Sequence, residues 1–475
     1  MPLPLHTYAD ILDINTPPPP LVLPRSHVAV QQAKFMKGHR NKAVNRLPFE
    51  VLHQIFSLYF SSSPVVYHGG GLRPGIYNNV SQQISPFTLA HVCAHWRAVI
   101  SSIPSFWSTI CIIGPVYNQV DAIRSWMGYT KNVGASIEFI QLNDRCAPHE
   151  LEEATGQVLS ALIEYSHCWK SLHLEFQCTE YQPALSNIDA RRLQKLEGAH
   201  IEFLPWTARR PELDWFWLQL LRAPRLQAIS WNTVDLPPPV NIPEWGKLTT
   251  IDCGGRITQF DLWSILRSAY QLLDLRAKGI FIKDIYQPPM LLPTTHRTLE
   301  SLDLEFKSSP VTFYHGLKLP HLTSLRIVQN PLGPHESDPQ AIAGALSMFL
   351  RSLSDHQALQ EFTILDATMP EPLLIKILQL RALRSLTYLG VHAASEHLIR
   401  GIKLQPPPNP PVLPRLEELE IFKKYEGLEG YDMVDQQRYV DSDFRKLFKS
   451  RSPTLTVHLH PYKRILTKET YFDVY

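Results

Sequence analysis

A short apolar pattern recurs through most of the chain and constrains its fold more than any other feature. In TLESLDLEF, Leu299 is followed after two variable positions by Leu302, and after one more by Leu304. The alternation of the last two apolar positions is typical of a strand with one buried face. We therefore predict a short strand at every copy of the pattern.

The copies are numerous, and their spacing is irregular. They begin at Trp169, Leu226, Leu248, Leu299, Leu322, Leu359, Leu383 and Leu416, with a further poor copy near Leu272–Leu275. The closest copies lie about 22 to 24 residues apart, which is the period of a leucine-rich repeat. Between copies, the segments 213–223, 338–353 and 370–383 have helical apolar spacing. This predicts an irregular leucine-rich-repeat-like α/β solenoid, in which each unit buries its apolar face on its neighbours.

The outward positions of these strands carry mostly acidic residues. Because alternate side chains of a strand face opposite sides, the positions between the leucines face solvent on the concave side. The acidic ones are Glu175, Asp252, Asp303, Glu305, Glu361, Glu418 and Glu420, and Arg326 is the clear base. We expect this surface to bind a basic segment of another protein. The alternative is that these carboxylates only keep the strands soluble.

Two helical patterns precede the repeats, and a third helix is expected to follow through Arg97 to Ser101. In NRLPFEVLHQIFSLYF, Pro48 suits a first helical turn, and apolar residues from Leu52 onward follow the spacing of one helix face. In SPFTLAHVCAHWRAVI, Ser85 is suited to cap a second helix, with Leu89 as the first residue of its apolar face. The segment 61–85 between them is rich in Gly, Ser and Pro and predicts a long loop.

The three N-terminal blocks, in their order, resemble the F-box of fungal F-box proteins. They read Leu47-Pro48-x-Glu50-x-Leu52-x-x-Ile55-Phe56, then Leu89-x-x-Val92-Cys93-x-x-Trp96-Arg97, then Pro104-x-Phe106-Trp107. Phe49 departs from the family, where a second proline is common, and the loop between the first two helices is longer than usual.

This resemblance implies a three-helix F-box over residues 45–110 that binds a Skp-type adaptor and through it a cullin. The adaptor contacts carried over from the family are Leu47, Pro48, Leu52, Ile55, Phe56, Leu89, Val92 and Trp96. The alternative is that these residues form an ordinary three-helix core with no partner.

Composition and charge argue against several classes of function. The 46 basic and 44 acidic side chains nearly balance, whereas broad nucleic-acid binding needs a clustered basic excess. No apolar run has the roughly 18 residues needed to cross a membrane, and no signal peptide is recognisable. The six scattered cysteines form no Cys-x-x-Cys pair, which predicts reduced thiols and a cytoplasmic or nuclear protein.

The chain also lacks the motifs of enzymes and of metal sites. No nucleophile elbow, zinc-protease helix or dinucleotide-binding glycine motif is present. His458 and His460 share one strand face but have no third ligand within reach in the sequence. We therefore predict no enzymatic activity, no cofactor and no metal site.

Taken together, these patterns predict an α/β protein with an N-terminal three-helix F-box and a leucine-rich-repeat-like solenoid. We expect a Pro-rich and basic segment at 1–44, the F-box at 45–110 and the repeat domain at 111–475. The predicted function is substrate recognition for a Skp-cullin-F-box ubiquitin ligase. The alternative is a leucine-rich-repeat interaction scaffold with no ligase role.

Overall fold

The computed structural model describes most of the chain from Leu47 onward. The described residues are 47–61, 74–78, 85–130, 133–142, 148–177, 182–203, 211–233, 243–282, 294–329, 338–353, 359–366, 369–392, 398, 401–402, 412–422, 455–460 and 464–467. The predicted N-terminal segment 1–44 lies outside the described residues.

The described strands form one long sheet and one small two-stranded sheet. They are β1 Gly75–Tyr77, β2 Thr109–Ile113, β3 Ala135–Ile140, β4 Trp169–Phe176, β5 Gly198–Phe203, β6 Ala228–Thr233, β7 Thr250–Cys253, β8 Ile257–Thr258, β9 Asp274–Phe281, β10 Thr294–Thr295, β11 Ser301–Phe306, β12 Leu317–Lys318, β13 Ser324–Gln329, β14 Glu361–Asp366, β15 Tyr388–Val391, β16 Glu418–Phe422, β17 Thr456–His460 and β18 Arg464–Thr467.

The α-helices precede the sheet or connect its strands. They are α1 Phe49–Ser61, α2 Pro86–Ala90, α3 Ala94–Ser102, α4 Val120–Thr130, α5 Pro148–Ile163, α6 Pro211–Arg222, α7 Gln259–Ser268, α8 Val311–His315, α9 Pro339–Ser352 and α10 Glu371–Leu378. Short 3₁₀ helices cover Pro104–Trp107, Tyr117–Gln119, Ser166–Cys168, Pro183–Asn187, Pro243–Lys247 and Arg381–Leu383.

Strand order in the long sheet follows the chain, which makes the fold a mixed α/β array. Thirteen described strands, from β2 to β17 without β8, β10 and β12, run parallel to their neighbours. β1 and β18 pair antiparallel at the two ends, and β8 pairs only with β9. Sequential parallel strands need a crossover between them, and helices or 3₁₀ turns supply many of the described ones.

The parallel register aligns the apolar positions of successive strands. Leu302 pairs with Leu325, and Leu325 pairs with Phe362 on the next strand. All three side chains are buried. Such alignment builds one continuous hydrophobic core, which runs from Leu52 to Val457. Burial of this core is the main term that holds the units together.

Every predicted copy of the apolar pattern forms a strand of the long sheet. The poor copy near Leu272–Leu275 is the start of β9. The pattern did not mark β2, β3, β5 and β17, so the array holds more units than the sequence indicated. The helix-like segments contain α6, α9 and α10, but the third is shorter than predicted, because α10 ends at Leu378 and Arg381–Leu383 form a 3₁₀ helix.

The N-terminal helices pack directly on the first units of the array. Trp107 is fully buried, and its Nε1 donates to the Ile100 carbonyl at 2.9 Å. Trp126 on α4 donates from Nε1 to the Trp107 carbonyl at 2.8 Å. The core is therefore continuous across the predicted domain boundary at 110/111, and β2 begins before it.

Three local predictions differ from the structure. Pro48 precedes α1, and its carbonyl accepts from the Leu52 amide at 3.1 Å, so it is the N-cap residue and not the first helical residue. The predicted loop 61–85 contains β1, which pairs with β2. The second and third helices, both predicted, divide earlier than expected: the helix from Ser85 ends at Ala90, and Cys93, with an extended backbone (φ −160°), caps α3.

Candidate interaction surfaces

The outward side chains of strands β2 to β17 form one surface, called here the open face. Its middle row joins directly paired residues across thirteen described strands: Cys111, Glu138, His173, His200, Ser230, Asp252, Arg276, Asp303, Arg326, Thr363, Gly390, Glu420 and His458. Most of these side chains are half-buried or exposed, while those before and after them are buried. This alternation makes the row a polar stripe across the sheet.

All seven predicted acidic residues lie on the open face, in three parallel rows. Asp252, Asp303 and Glu420 lie in the middle row. Glu361 and Glu418 lie two positions earlier on their strands, and Glu175 and Glu305 two positions later, so all share the same side. Their binding role stays a prediction.

Several of these carboxylates are already paired within the chain. Asp303 accepts from Arg326 Nη1 on the next strand at 2.8 Å, and Glu305 pairs with Lys307. Glu418 lies 2.9 Å from His458 Nε2. The Tyr388 hydroxyl donates to Glu420. The acidic excess from β9 onward is therefore smaller than the sequence suggested.

A second group, on β3 to β6, combines histidines with carboxylates. The rings of His173 and His200 lie with centroids 4.5 Å apart, edge to face. His173 Nδ1 is 3.5 Å from Glu138, and His200 Nε2 is 3.9 Å from Glu202. His200 Nδ1 lies 2.9 Å from the Ser230 hydroxyl.

Burial is the main cause that lowers the pKa of His200, and the neighbouring His173 lowers it further. Burial also raises the pKa of the Cys111 thiol at the end of the same row, and the adjacent Glu138 raises it further. The acidic character of this part of the open face comes from its carboxylates, and the described strands β3 to β7 place no Lys or Arg in the middle row.

Five further members of this surface were not predicted from the sequence: Glu138, His173, His200, Glu202 and Arg276. β3 and β5 lack the leucine pattern, but their sequences ASIEFI and GAHIEF alternate apolar and polar residues. That alternation was the signal available for locating them.

Helix α1 provides a second candidate surface, because it is apolar on two sides. Leu52 and Phe56 are fully buried on one side, where the Phe56 ring meets Trp96 and Phe106. The other side is exposed and apolar: Val51 is 38% exposed, Ile55 42%, Leu58 68% and Tyr59 38%. Positions i, i+4, i+7 and i+8 lie on one helix face. On this face, only Ile55 was predicted to be an adaptor contact.

The predicted adaptor contacts fall into three groups by burial. Ile55, Pro48 and Val92 are exposed. Leu47 and Trp96 are partly buried against the core. Leu52, Phe56 and Leu89 are buried in the chain's own core and are not free to contact a partner in this conformation. The break between α2 and α3 explains why Val92 faces solvent while Leu89 does not.

Other kinds of site receive no support from the described part of the chain. No helix there is long and apolar enough to cross a membrane. No group of three His, Cys, Asp or Glu side chains is arranged there to hold a metal ion. Cys93, Cys111, Cys168 and Cys253 are free thiols.

Comparisons with known proteins give only distant similarities. No family model matches the chain, and no curated protein matches it. Among solved structures it is similar to an internalin (InlF) from Listeria monocytogenes str. 4b F2365, with 12% identity, a TM-score of 0.31, and coverage of 78% of this chain and 94% of that chain. It is also similar to TLR13 in a TLR13–ssRNA13 complex, with 17% identity, a TM-score of 0.26, and coverage of 57% and 41%. At these TM-scores neither similarity bears on function.

Proposed function

We propose that this chain is the substrate-recognition subunit of a Skp-cullin-F-box ubiquitin ligase. In this proposal α1 and the turn at Val92 bind a Skp-type adaptor, which links the chain to a cullin. The open face binds the target protein. Ubiquitin transfer belongs to other subunits, so the chain acts by raising the local concentration of target lysines and is not itself an enzyme. It acts in the cytoplasm or nucleus, as a member of the fungal F-box proteins that its N-terminal blocks resemble.

The exposed apolar face of α1 is the observation that supports this proposal. Val51, Ile55 and Leu58 are exposed along one helix face, although the opposite face of α1 already anchors it to the core. An amphipathic helix needs one apolar face to fold, so a second one requires another explanation. Exposed apolar patches are typical of protein-binding surfaces. One common way for a helix to bind a partner is to place its apolar face in a hydrophobic groove.

Co-purification with the host's Skp-type adaptor tests this contact. Ile55→Lys places a charge on the exposed face without entering the core, and we expect it to weaken adaptor binding by at least about tenfold. Gln157→Lys introduces the same charge at an exposed polar position on a different helix, α5, and is the matched control. Equal binding by both variants and wild type would contradict the adaptor contact on this face.

The open face is the proposed target surface, and its charge favours a basic segment. From β3 to β7 its described carboxylates include Glu138, Glu175, Glu202 and Asp252, and the middle row there has no Lys or Arg. Opposite charge speeds association and selects partners, and salt weakens this effect. A basic target is best supported for strands β3 to β7. Further along the sheet, Arg276 and Arg326 add positive charge to the middle row.

A peptide array of basic and acidic sequences tests the charge preference. We expect basic peptides to bind and acidic ones not to bind, with Glu202→Gln and Asp252→Asn reducing affinity more than Asp303→Asn, whose carboxylate is already paired with Arg326. Equal loss in all three variants would contradict the assignment to β3–β7.

An interaction scaffold with no ligase role is the second candidate. The burial of Leu52, Phe56 and Leu89 in the chain's own core favours it, since these residues then serve stability without an adaptor. A well-folded wild-type chain that fails to bind the adaptor would favour the scaffold over the ligase subunit.

A further inference from the structure

Two histidines lie inside the acidic part of the open face. His173 on β4 and His200 on β5 are paired directly in the middle row, and their ring centroids are 4.5 Å apart. The accessible fraction is 34% for the His173 side chain and 39% for that of His200, so protons and a bound partner can both reach the rings. The proposed ligase function gives these two histidines no role.

Each of the two rings lies beside a carboxylate. His173 Nδ1 is 3.5 Å from Glu138 on the neighbouring strand, and His200 Nε2 is 3.9 Å from Glu202 on its own strand. A neutral imidazole leaves the negative charge of such a carboxylate in place, whereas a protonated ring offsets it. The charge of this region therefore depends on whether the two rings carry a second proton.

The other charged groups around His200 are also carboxylates. Besides Glu202, they are Glu175 on β4 and Asp252 on β7. The next residue of the row, on β6, is Ser230, and its hydroxyl lies 2.9 Å from His200 Nδ1. Protonation of His200 therefore places a positive charge among three carboxylates.

The surroundings of His173 have the same sign. Beyond Glu138, the row continues to the buried thiol of Cys111 on β2. Lys170, at the start of β4, pairs with Glu197 at 3.6 Å. The middle row of the described strands β3 to β7 has no Lys or Arg, so the two imidazoles are the only groups there that can become positive.

The two rings are close enough to oppose each other's protonation. Burial is the main cause that lowers the pKa of His200, and His173 lowers it further, against the opposite effect of the nearby carboxylates. An ordinary imidazole has a pKa of about 6.5, so His200 gains its second proton in mild acid. Because positive charges on both rings repel each other, the pair takes up its protons in separate steps.

We infer that His173 and His200 make target binding by the open face sensitive to pH. With neutral rings, the carboxylates around them attract a basic segment of the target. With protonated rings, the positive charges offset Glu138 and Glu202 and repel that segment, so mild acid releases it. By reciprocity, a bound basic segment disfavours protonation of the rings. This inference rests on the proposed role of the open face in target binding.

Binding of an arginine-rich peptide to the full-length chain at several pH values tests the inference. The probe is an acetylated and amidated peptide of four Arg-Gly repeats, whose guanidinium charges do not change between pH 5.5 and 7.5. Asp and Glu side chains stay mostly ionised in this range, so histidines are the main groups that titrate. At constant low salt, we expect the dissociation constant to rise by about fivefold or more from pH 7.5 to 5.5.

A double variant locates the effect. His173→Gln combined with His200→Gln removes both titrating rings and keeps every carboxylate, so its affinity should change by less than about twofold over this range. His458→Gln is the matched control, because it removes a histidine from the same row, beside Glu418 and far from β3 to β7. It should keep the wild-type dependence on pH. Circular-dichroism melts at both pH values check that the proteins are folded.

The coupling between the rings has a readout that does not involve the target. Since His173 contributes to the lowered pKa of His200, His173→Gln should move the titration of His200 to higher pH. Histidine-labelled NMR of the full-length chain measures this shift, and His458→Gln should not produce it. An unchanged titration of His200 in His173→Gln would overturn the paired arrangement.

The contrary results of the binding experiment are distinguishable. If the peptide binds at pH 7.5 and the double variant keeps the wild-type dependence on pH, the histidine switch is overturned and the target surface stands. The same holds if wild type binds equally at all pH values. No binding of the peptide at pH 7.5 would contradict the proposed target surface and this inference with it. Loss of the dependence in His458→Gln would show a general charge effect and also overturn the switch.

Discussion

Ile55 and Phe56 are adjacent on α1 and face opposite environments. The Phe56 ring is fully buried, with its centroid 5.0 Å from that of Trp96, whereas Ile55 is 42% exposed. The first residue is available to a partner, and the second holds the helix to the rest of the chain. This separation allows binding and stability to be tested independently.

Truncating each side chain should therefore affect stability differently. Phe56→Ala removes a fully buried ring and should lower the free energy of unfolding by about 3 to 5 kcal/mol. Ile55→Ala should cost less than about 1 kcal/mol, because much of its side chain is already in water. Urea unfolding of both variants measures the difference. Similar losses would contradict the packing described for α1.

Removing the N-terminal helices should destabilise the repeat array. Trp126 packs against Trp107 and Phe87, with ring centroids 5.3 and 5.6 Å away. A chain of residues 111–475 loses both partners and exposes the first unit of the core. We expect it to aggregate in size-exclusion chromatography and to melt below a chain of residues 84–475, which keeps them. Equal behaviour would show that the boundary at 110/111 separates independent domains.

The stability of the fold should decrease in mild acid because of His296. Burial lowers the pKa of this ring in the folded chain, so below about pH 6.5 the unfolded chain binds more protons than the folded one. The free energy of unfolding should fall as the pH decreases from 7 through that range. His296→Gln should reduce this dependence and leave the part that comes from His200, whose pKa burial also lowers. Urea titrations at several pH values measure it, and identical slopes in the variant and wild type would be the contrary result.

A side chain at position 390 should disturb the middle row of the open face. An added Cβ on Gly390 would lie 2.7 Å from Thr363 Oγ1 and 2.9 Å from its Cγ2. Thr363 is buried and β-branched, so it has little freedom to move. We expect Gly390→Ala to cost about 1 to 3 kcal/mol. Thr363→Ala in the same chain should recover part of the loss, and strictly additive effects in thermal unfolding would contradict the contact.

Much of the array was predictable, because strand periodicity is a local property. The alternation in SLDLEF and SLRIVQ identifies β11 and β13 and also assigns Asp303 and Arg326 to the same side. The contact between these two residues was not predictable, since it depends on the register of two strands joined by a long connection. β2 and β3 were missed because their sequences TICII and ASIEFI do not carry the leucine spacing.

The candidate sites, too, were predictable only in part. The apolar spacing on α1 indicated that the helix has a packing face. The predicted adaptor contacts, however, included Leu52 and Phe56, which are buried in the chain's own core. The helical spacing of apolar residues does not indicate which of two apolar sides packs against the rest of the chain.

The sequence by itself determined the strand and helix types, the repeated unit, and the side of each strand that faces water. These follow from side-chain periodicity and backbone preferences within a few residues. Only the tertiary structure decided the register, the pairing of charges across strands and the exposed side of α1. Each of these depends on residues far apart in the chain, brought together when the units bury their shared core.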